Sequence, residues 1–207
     1  MEEDFLEIKV EVGYPEIALF KHPTRINFSD SSEQLSYCSV MVKLVKTNEE
    51  DSKQEVIATL FGYFFDMEYM YNYGQSIFDA FDMISGDTCE LYNILFDRNG
   101  FIKDEYQSQN FCDNVFYIDS LYVKNEYRNR GYAKLILNQI GEIIKYIAKL
   151  NIGIVALYAQ PFEKDDKREK IIIDNKELKR KLIELYKSTG FKETDNPYDY
   201  LVKVFEG

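Results

Sequence analysis

The stretch VFYIDSLYV (Val115–Val123), followed directly by KNEYRNRGYAK (Lys124–Lys134), decides the fold. Its first nine residues are rich in β-branched and aromatic side chains, which fit a pleated, half-buried surface, so they read as a strand. By alternation Tyr117, Asp119, Leu121 and Val123 are expected on one face of it. A polar loop containing Gly131 comes next. Ala133, Ile136, Leu137, Ile140, Ile144, Ile147 and Ala148 then recur at helical spacing. A strand that feeds a helix through such a loop leaves backbone N–H groups unpaired at the helix N-terminus. Together with the helix dipole they make an anion site suited to phosphates. Gly131 lets a ligand approach the backbone with no Cβ in the way. Lys124, Arg128, Arg130 and Lys134 form a basic island within an acidic chain.

Downstream, Asn151 and Gly153 mark the end of the helix, and Ile152–Ala159 is a continuous apolar strand stopped by Pro161. A second helix is expected over Lys176–Ser188, with Leu178, Leu182, Leu185 and Tyr186 on one side and Gly190 as its C-cap. Phe191–Thr194 and Tyr200–Phe205 read as closing strands. The order strand, helix, strand, helix, strand, strand is an α/β pattern. Upstream, Ser39–Val45 and Val56–Tyr73 read as an antiparallel hairpin across the charged turn Thr47–Lys53. In the second arm Tyr63, Phe65, Met67, Tyr69, Tyr71 and Tyr73 alternate onto one face, opposite Asp66 and Glu68. Ser76–Met83 and Asp87–Phe96 read as short helices, and Phe162–Lys170 as a charged surface loop.

At 207 residues and 45% hydrophobic composition, the chain suits one domain with a sizeable core. The 36 acidic and 25 basic residues give a net charge of −11, which argues against a nucleic-acid partner, because coating nucleic acid needs clustered cations. Cys38, Cys89 and Cys112 form no CxxC pair, so neither a zinc site nor a disulfide framework is expected. The start, Met1 to Phe5, lacks the features of a signal peptide. The best apolar run, Ile143 to Ala159, is broken by Lys145, Lys149 and Asn151, so no membrane span is expected. A cytoplasmic, metal-free protein follows as the expectation. No GxxxxGK[ST] or GxGxxG occurs, which removes the common nucleotide fingerprints. The single histidine, His22, lies beside Pro23 in a polar stretch and reads as a surface residue.

Arg128-x-x-Gly131-x-Ala133, behind a strand ending Leu121-Tyr122-Val123, resembles the [QR]-x-x-G-x-[GA] motif of the GNAT superfamily of acyl-CoA-dependent N-acetyltransferases. Leu185-Tyr186-Lys187-Ser188-Thr189-Gly190-Phe191 resembles that family's helix ending in a tyrosine before Gly-Phe. The likeness is good from Val115 to Phe205 and loose over the first hundred residues. It implies an α/β fold with a mixed, mostly antiparallel sheet, helices on both faces and a splayed parallel strand pair. The chain would be a single domain over 1–207, with 1–114 as the acceptor-side half and 115–207 as the acetyl-CoA-binding half.

The resemblance also implies roles. Main-chain groups of Leu121 and Val123 would hydrogen-bond the pantetheine arm of acetyl-CoA, with Tyr122 between them in the cofactor-binding set and the Val123 N–H on the thioester carbonyl. The loop Arg128, Asn129, Arg130, Gly131, Tyr132 and Ala133 would bind acetyl-CoA, with the N–H groups from Asn129 to Lys134 holding the pyrophosphate. Tyr186 would protonate the leaving thiolate. Asp119, four residues before Val123, sits where some relatives carry a catalytic glutamate, and burial in an apolar strand would raise its pKa to suit a base. Relatives also work through water chains without one base. A family asparagine about two turns before the tyrosine is replaced by Leu178, and Phe162–Asn175 looks like a charged insertion. The acceptor would be a primary amine of a small molecule or peptide. The acidic cluster Asp79, Asp82, Asp87 and Glu90 favours a cationic one, and a homodimer is compatible. A GNAT-like module that senses acyl-CoA without catalysis is the competing reading.

Overall fold

The computed structural model describes residues 5–13, 36–47, 53–109, 112–165 and 169–205. His22 lies outside them. A seven-stranded sheet forms the centre. In chain order its strands are β1 (Phe5–Gly13), β2 (Tyr37–Thr47), β3 (Gln54–Phe65), β4 (Val115–Val123), β5 (Ile154–Tyr158), β8 (Lys192–Glu193) and β9 (Tyr200–Val204). Their spatial order is β1-β2-β3-β4-β5-β9-β8. All neighbours are antiparallel except β4 and β5. That pair is parallel and short, running from Val115↔Ile154 to Ile118↔Leu157. Beyond Ile118, β4 stays on β3 as far as Ala58↔Val123 and parts from β5. The two strands therefore fork, as the resemblance implies.

Helices cover both faces. On one, α4 (Tyr132–Glu142) buries Ile136, Leu137 and Ile140 against Leu60, Phe116, Val155 and Leu201, and α5 (Lys176–Lys187) adds Leu182, Leu185 and Tyr186. On the other, α1 (Met67–Tyr73), α2 (Ile77–Asp82) and α3 (Gly86–Leu95) pack Met67, Met70, Phe81 and Leu91 onto Phe65, Val115, Tyr117 and Ala156. Each fully buried side chain of this size contributes about 1.5–3 kcal/mol relative to exposure.

Three local readings need correction. First, the strand expected over Val56–Tyr73 ends at Phe65. The Asp66 carboxylate accepts the Tyr69 N–H at 2.9 Å, and Asn114 Oδ1 accepts that of Met67 at 2.8 Å. These bonds cap a helix, and Met67 and Met70, three apart, turn into the core. Alternating aromatics imitated a strand, yet Tyr71 and Tyr73 are exposed. Second, α4 closes in a π-turn over Ile143–Ile147, so the 3.6 period slips. Ile144 is buried and Ile147 is exposed.

Third, β4 carries a β-bulge. Ile118 pairs with Gly62 and Ser120 with Phe61, leaving Asp119 as the extra residue. One inserted residue reverses the facing of all that follow. Leu121 and Val123 thus join Phe116 and Ile118 on the α4 side, while Tyr117 faces the α1–α3 side. The four residues expected on one face do not share it. Gly62 permits the close approach, since a Cβ there would lie 2.2 Å from the Tyr117 carbonyl oxygen.

The charged segment after β5 is also structured. β6 (Phe162–Lys164) and β7 (Lys170–Ile172) form a two-stranded hairpin outside the main sheet.

Candidate active site

A cavity of about 490 Å³ opens at the fork of β4 and β5. Its walls are the end of β4, the loop into α4, the hairpin and the inner face of α5. Lys124 donates its N–H to Ile57 of β3 at 3.0 Å. Because successive peptide groups of a strand point to opposite sides, Leu121 and Val123 turn their N–H and C=O groups toward the fork. The Val123 carbonyl accepts the Arg128 Nε–H at 3.0 Å.

The loop supplies the anion-binding end. Asn129 (φ 60°) and Gly131 (φ 83°) are both left-handed, the alternation that turns successive N–H groups into a concave nest. The first helical bond joins Leu135 N–H to the Gly131 carbonyl at 2.9 Å, so the N–H groups of Tyr132, Ala133 and Lys134 precede it at the cavity wall. A Cβ on Gly131 would meet nothing within 4 Å. Its positive φ, rather than crowding within the chain, calls for glycine.

The basic island is half committed to carboxylates. Glu55 accepts from Lys124 at 2.5 Å and from the Tyr127 hydroxyl at 2.7 Å. Arg128 grips Glu163 of β6 with two parallel bonds, Nη1 to Oε1 at 2.6 Å and Nη2 to Oε2 at 2.8 Å. Those bonds hold the Glu163 carboxyl below its usual range and raise the guanidinium above its own. The Arg128 side chain, expected in the cofactor-binding set, is therefore already engaged. Arg130 lies 5.4 Å over the Tyr127 ring. Among the described residues, neither Arg130 nor Lys134 forms an ion pair.

Tyr186 reaches the cavity from the last turn of α5 and is 8% exposed. Burial pushes its hydroxyl up to about 12, so it keeps its proton at neutral pH. Phe191 packs edge-on at 6.0 Å. The Tyr186 carbonyl accepts Thr189 Oγ1 at 2.8 Å and the Phe191 N–H at 3.2 Å, which locks the helix end. Leu178, at the family's asparagine position, is another wall residue.

Asp119 differs from its expectation. It is not among the cavity's lining residues, and its side chain is 35% exposed rather than sequestered. Lys170 of β7 donates to the Asp119 carbonyl at 3.1 Å and lies 3.7 Å from its carboxylate. The bulge carries Leu121 and Val123 over to the α4 side and leaves Asp119 on the other, under the hairpin. Tyr122 faces the hairpin too, with Phe162 at 6.2 Å and Lys164 4.9 Å over its ring. Reading the sequence missed Glu163 and Lys170. The signal was the alternation in Phe162-Glu163-Lys164 and Lys170-Ile171-Ile172 on either side of a charged turn.

A fork between two parallel strands, closed on one side by an anion-binding loop and on the other by a tyrosine before Gly-Phe, is the arrangement that the sequence resemblance implied. The fold is GNAT-like. No family model and no curated protein matches the chain. Among solved structures it is similar to Arabidopsis thaliana NAA60 in complex with acetyl-CoA, at 17% identity and TM-score 0.40, covering 96% of this chain and 98% of that one. It is also similar to a KacTA–DNA complex (9% identity, TM-score 0.42, covering 96% and 93%) and to AtaT complexed with acetyl-methionyl-tRNAfMet (9%, 0.40, 96% and 95%). Two of these three structures hold nucleic acid, DNA in one and a tRNA in the other, which stands against the expectation, drawn from net charge, of no nucleic-acid partner. Net charge of the whole chain averages over faces, so it does not decide which partners a single face can take. Among the described residues no helix is long and apolar enough to cross a membrane, and no group of His, Cys, Asp or Glu is placed to hold a metal.

Proposed function

We propose that the chain is an acyl-CoA-dependent N-acetyltransferase that moves an acetyl group from acetyl-CoA directly to a primary amine. One observation carries this reading. The unpaired edge of β4 runs along a cavity with an N–H-rich loop at one end and a buried, protonated tyrosine in its wall. Such a cavity suits a molecule with phosphates at one end, a peptide-like arm and a leaving group that needs a proton. The arm of acetyl-CoA would pair with Leu121 and Val123 beside Tyr122. Its diphosphate would take the N–H groups from Asn129 to Lys134, and Arg130 and Lys134 would supply the positive charge.

The chemistry then asks three things of the chain. The Val123 N–H stabilises negative charge on the thioester oxygen as the amine nitrogen bonds to the acetyl carbon. Asp119, once free of Lys170, takes the proton the amine must lose, directly or through water. Tyr186 gives its proton to the sulfur as the C–S bond breaks. Cys38, Cys89 and Cys112 as thiols suit a reducing compartment such as the cytoplasm.

A second reading, a non-catalytic acyl-CoA sensor, has one observation in its favour, the Lys170 ammonium that already covers Asp119. Incubation with acetyl-CoA and a mixed pool of amines and peptides separates the two. Transfer predicts amine-dependent release of free CoA and acceptors that gain one acetyl group by mass spectrometry. Binding of acetyl-CoA without any such release would leave the sensor.

A further inference from the structure

We propose that Glu163 is a positioning residue for the transfer site, acting through Arg128 to hold both the outer wall of the cavity and the open end of β4. The inference rests on the reading of the cavity as the acetyl-CoA site. It begins from how fully the Arg128 side chain is used. Nη1 and Nη2 both go to Glu163, and Nε goes to the Val123 carbonyl. The guanidinium also lies 5.5 Å over the Tyr122 ring. One planar side chain thus ties together β6, the last residue of β4 and the ring before it.

The fork matches a carboxylate because its donors are fixed in one plane, and lysine cannot reproduce that geometry. An exposed ion pair of this kind contributes little to global stability. Its value here lies in where its ends are. Val123, like Leu121, turns its peptide group toward the cavity, and its carbonyl is pinned by Arg128. Phe162 and Glu163 line the cavity themselves. Beside the Arg128–Glu163 pair, ring contacts to Tyr122 tie β6 to β4, and these are less directional than a bidentate ion pair.

Charge supports the same assignment. Alone, a carboxylate lining a cavity for a diphosphate would repel it. Paired with Arg128, Glu163 is neutralised, which leaves anion binding to Arg130, Lys134 and the loop N–H groups. Arg128 then serves as the clamp of a wall rather than as a phosphate ligand.

Calorimetric titration of the full chain with acetyl-CoA tests this, using Arg128→Ala, Glu163→Ala, Glu163→Gln and the double variant R128A/E163A. Each single variant is expected to weaken acetyl-CoA binding by about tenfold, as loss of an orienting contact does. The double variant should be no weaker than either single. Melting temperatures should stay near that of the wild type, and KM for acetyl-CoA should rise more than kcat falls. If Glu163→Ala and Glu163→Gln bind as the wild type does, or more tightly, while Arg128→Ala loses affinity, Arg128 meets the phosphates itself and the proposal fails. Additive losses in the double variant sink it as well. A wild type that binds no acetyl-CoA would overturn the acetyl-transfer reading, and this inference with it. Normal wild-type binding with unaffected Glu163 variants would overturn this inference alone.

Discussion

The Lys170 ammonium sits 3.1 Å from the Asp119 carbonyl oxygen and 3.7 Å from its carboxylate, so with Asp119 as the proposed base, a primary amine of the chain itself stands where the acceptor amine would. Both side chains are partly exposed. Pairs of this kind contribute roughly 0–1 kcal/mol, so an incoming amine can displace Lys170 at small cost. Replacing Lys170 by Met should therefore lower KM for the acceptor and leave acetyl-CoA affinity unchanged. Replacing Asp119 by Asn should lower turnover about 10²-fold. Steady-state kinetics on both variants checks the pair. Equal kinetics for Lys170→Met and wild type would mean that Lys170 does not guard the acceptor position.

Tyr186→Phe removes the proposed proton donor but keeps the ring that packs on Phe191. Turnover should fall about 10²-fold or more, with the acetyl-CoA dissociation constant little changed. Rapid-quench measurement of the first turnover locates the loss in the chemical step. An unaltered single-turnover rate would assign the proton to another donor.

Most of the site's scaffold was legible in the sequence, and the exceptions have physical causes. Val115–Val123 and the helix behind Gly131 were readable because their signals are local: β-branched residues at one end, a 3.6 period at the other. Asp119 was placed correctly in a strand, but Leu121 and Val123 were wrongly put on its face, because a bulge is set by the partner strand. Here the cause is Gly62, far upstream on β3, and nothing in the local pattern of β4 records it. The Met67–Tyr73 helix was hidden because alternating tyrosines satisfy a period of two while the capping bond from Asp66 decides otherwise. Arg128 was found as a motif residue, but its partner Glu163 lies 35 residues away in a segment that reads as a charged loop.

Alkaline pH should unfold the protein through tyrosines whose hydroxyls are shielded from water. Burial raises Tyr186 and Tyr106 from the ordinary tyrosine value of 10.0 to about 12. Between those values the native form binds more protons than the unfolded chain, so stability is intact below pH 10 and falls as pH rises from about 10 to about 12. For the buried Tyr186 the loss is on the order of 2–3 kcal/mol. Tyrosinate absorbance followed beside circular dichroism should show ionisation and unfolding together. Ionisation of every tyrosine near pH 10 in a folded chain would contradict the burial argument.

Gly62 and Gly131 should fail in opposite ways when changed to alanine. At Gly62 the new methyl would sit 2.2 Å from the Tyr117 carbonyl oxygen and 2.9 Å from the Phe116 ring, so β3 and β4 must separate. Overpacking of this kind costs roughly 1–3 kcal/mol, and the bulge that orients the end of β4 would move with it. Gly131→Ala meets no atom, but it forces an L-residue to φ 83°, at a cost of roughly 1–2 kcal/mol. The anion-binding nest would relax out of shape. Gly62→Ala should thus show a large stability loss with acetyl-CoA binding weakened secondarily. Gly131→Ala should show a smaller stability loss and a larger loss of acetyl-CoA affinity. Urea unfolding and calorimetry on the two variants separate these outcomes, and full acetyl-CoA affinity in Gly131→Ala would remove the loop from the anion site.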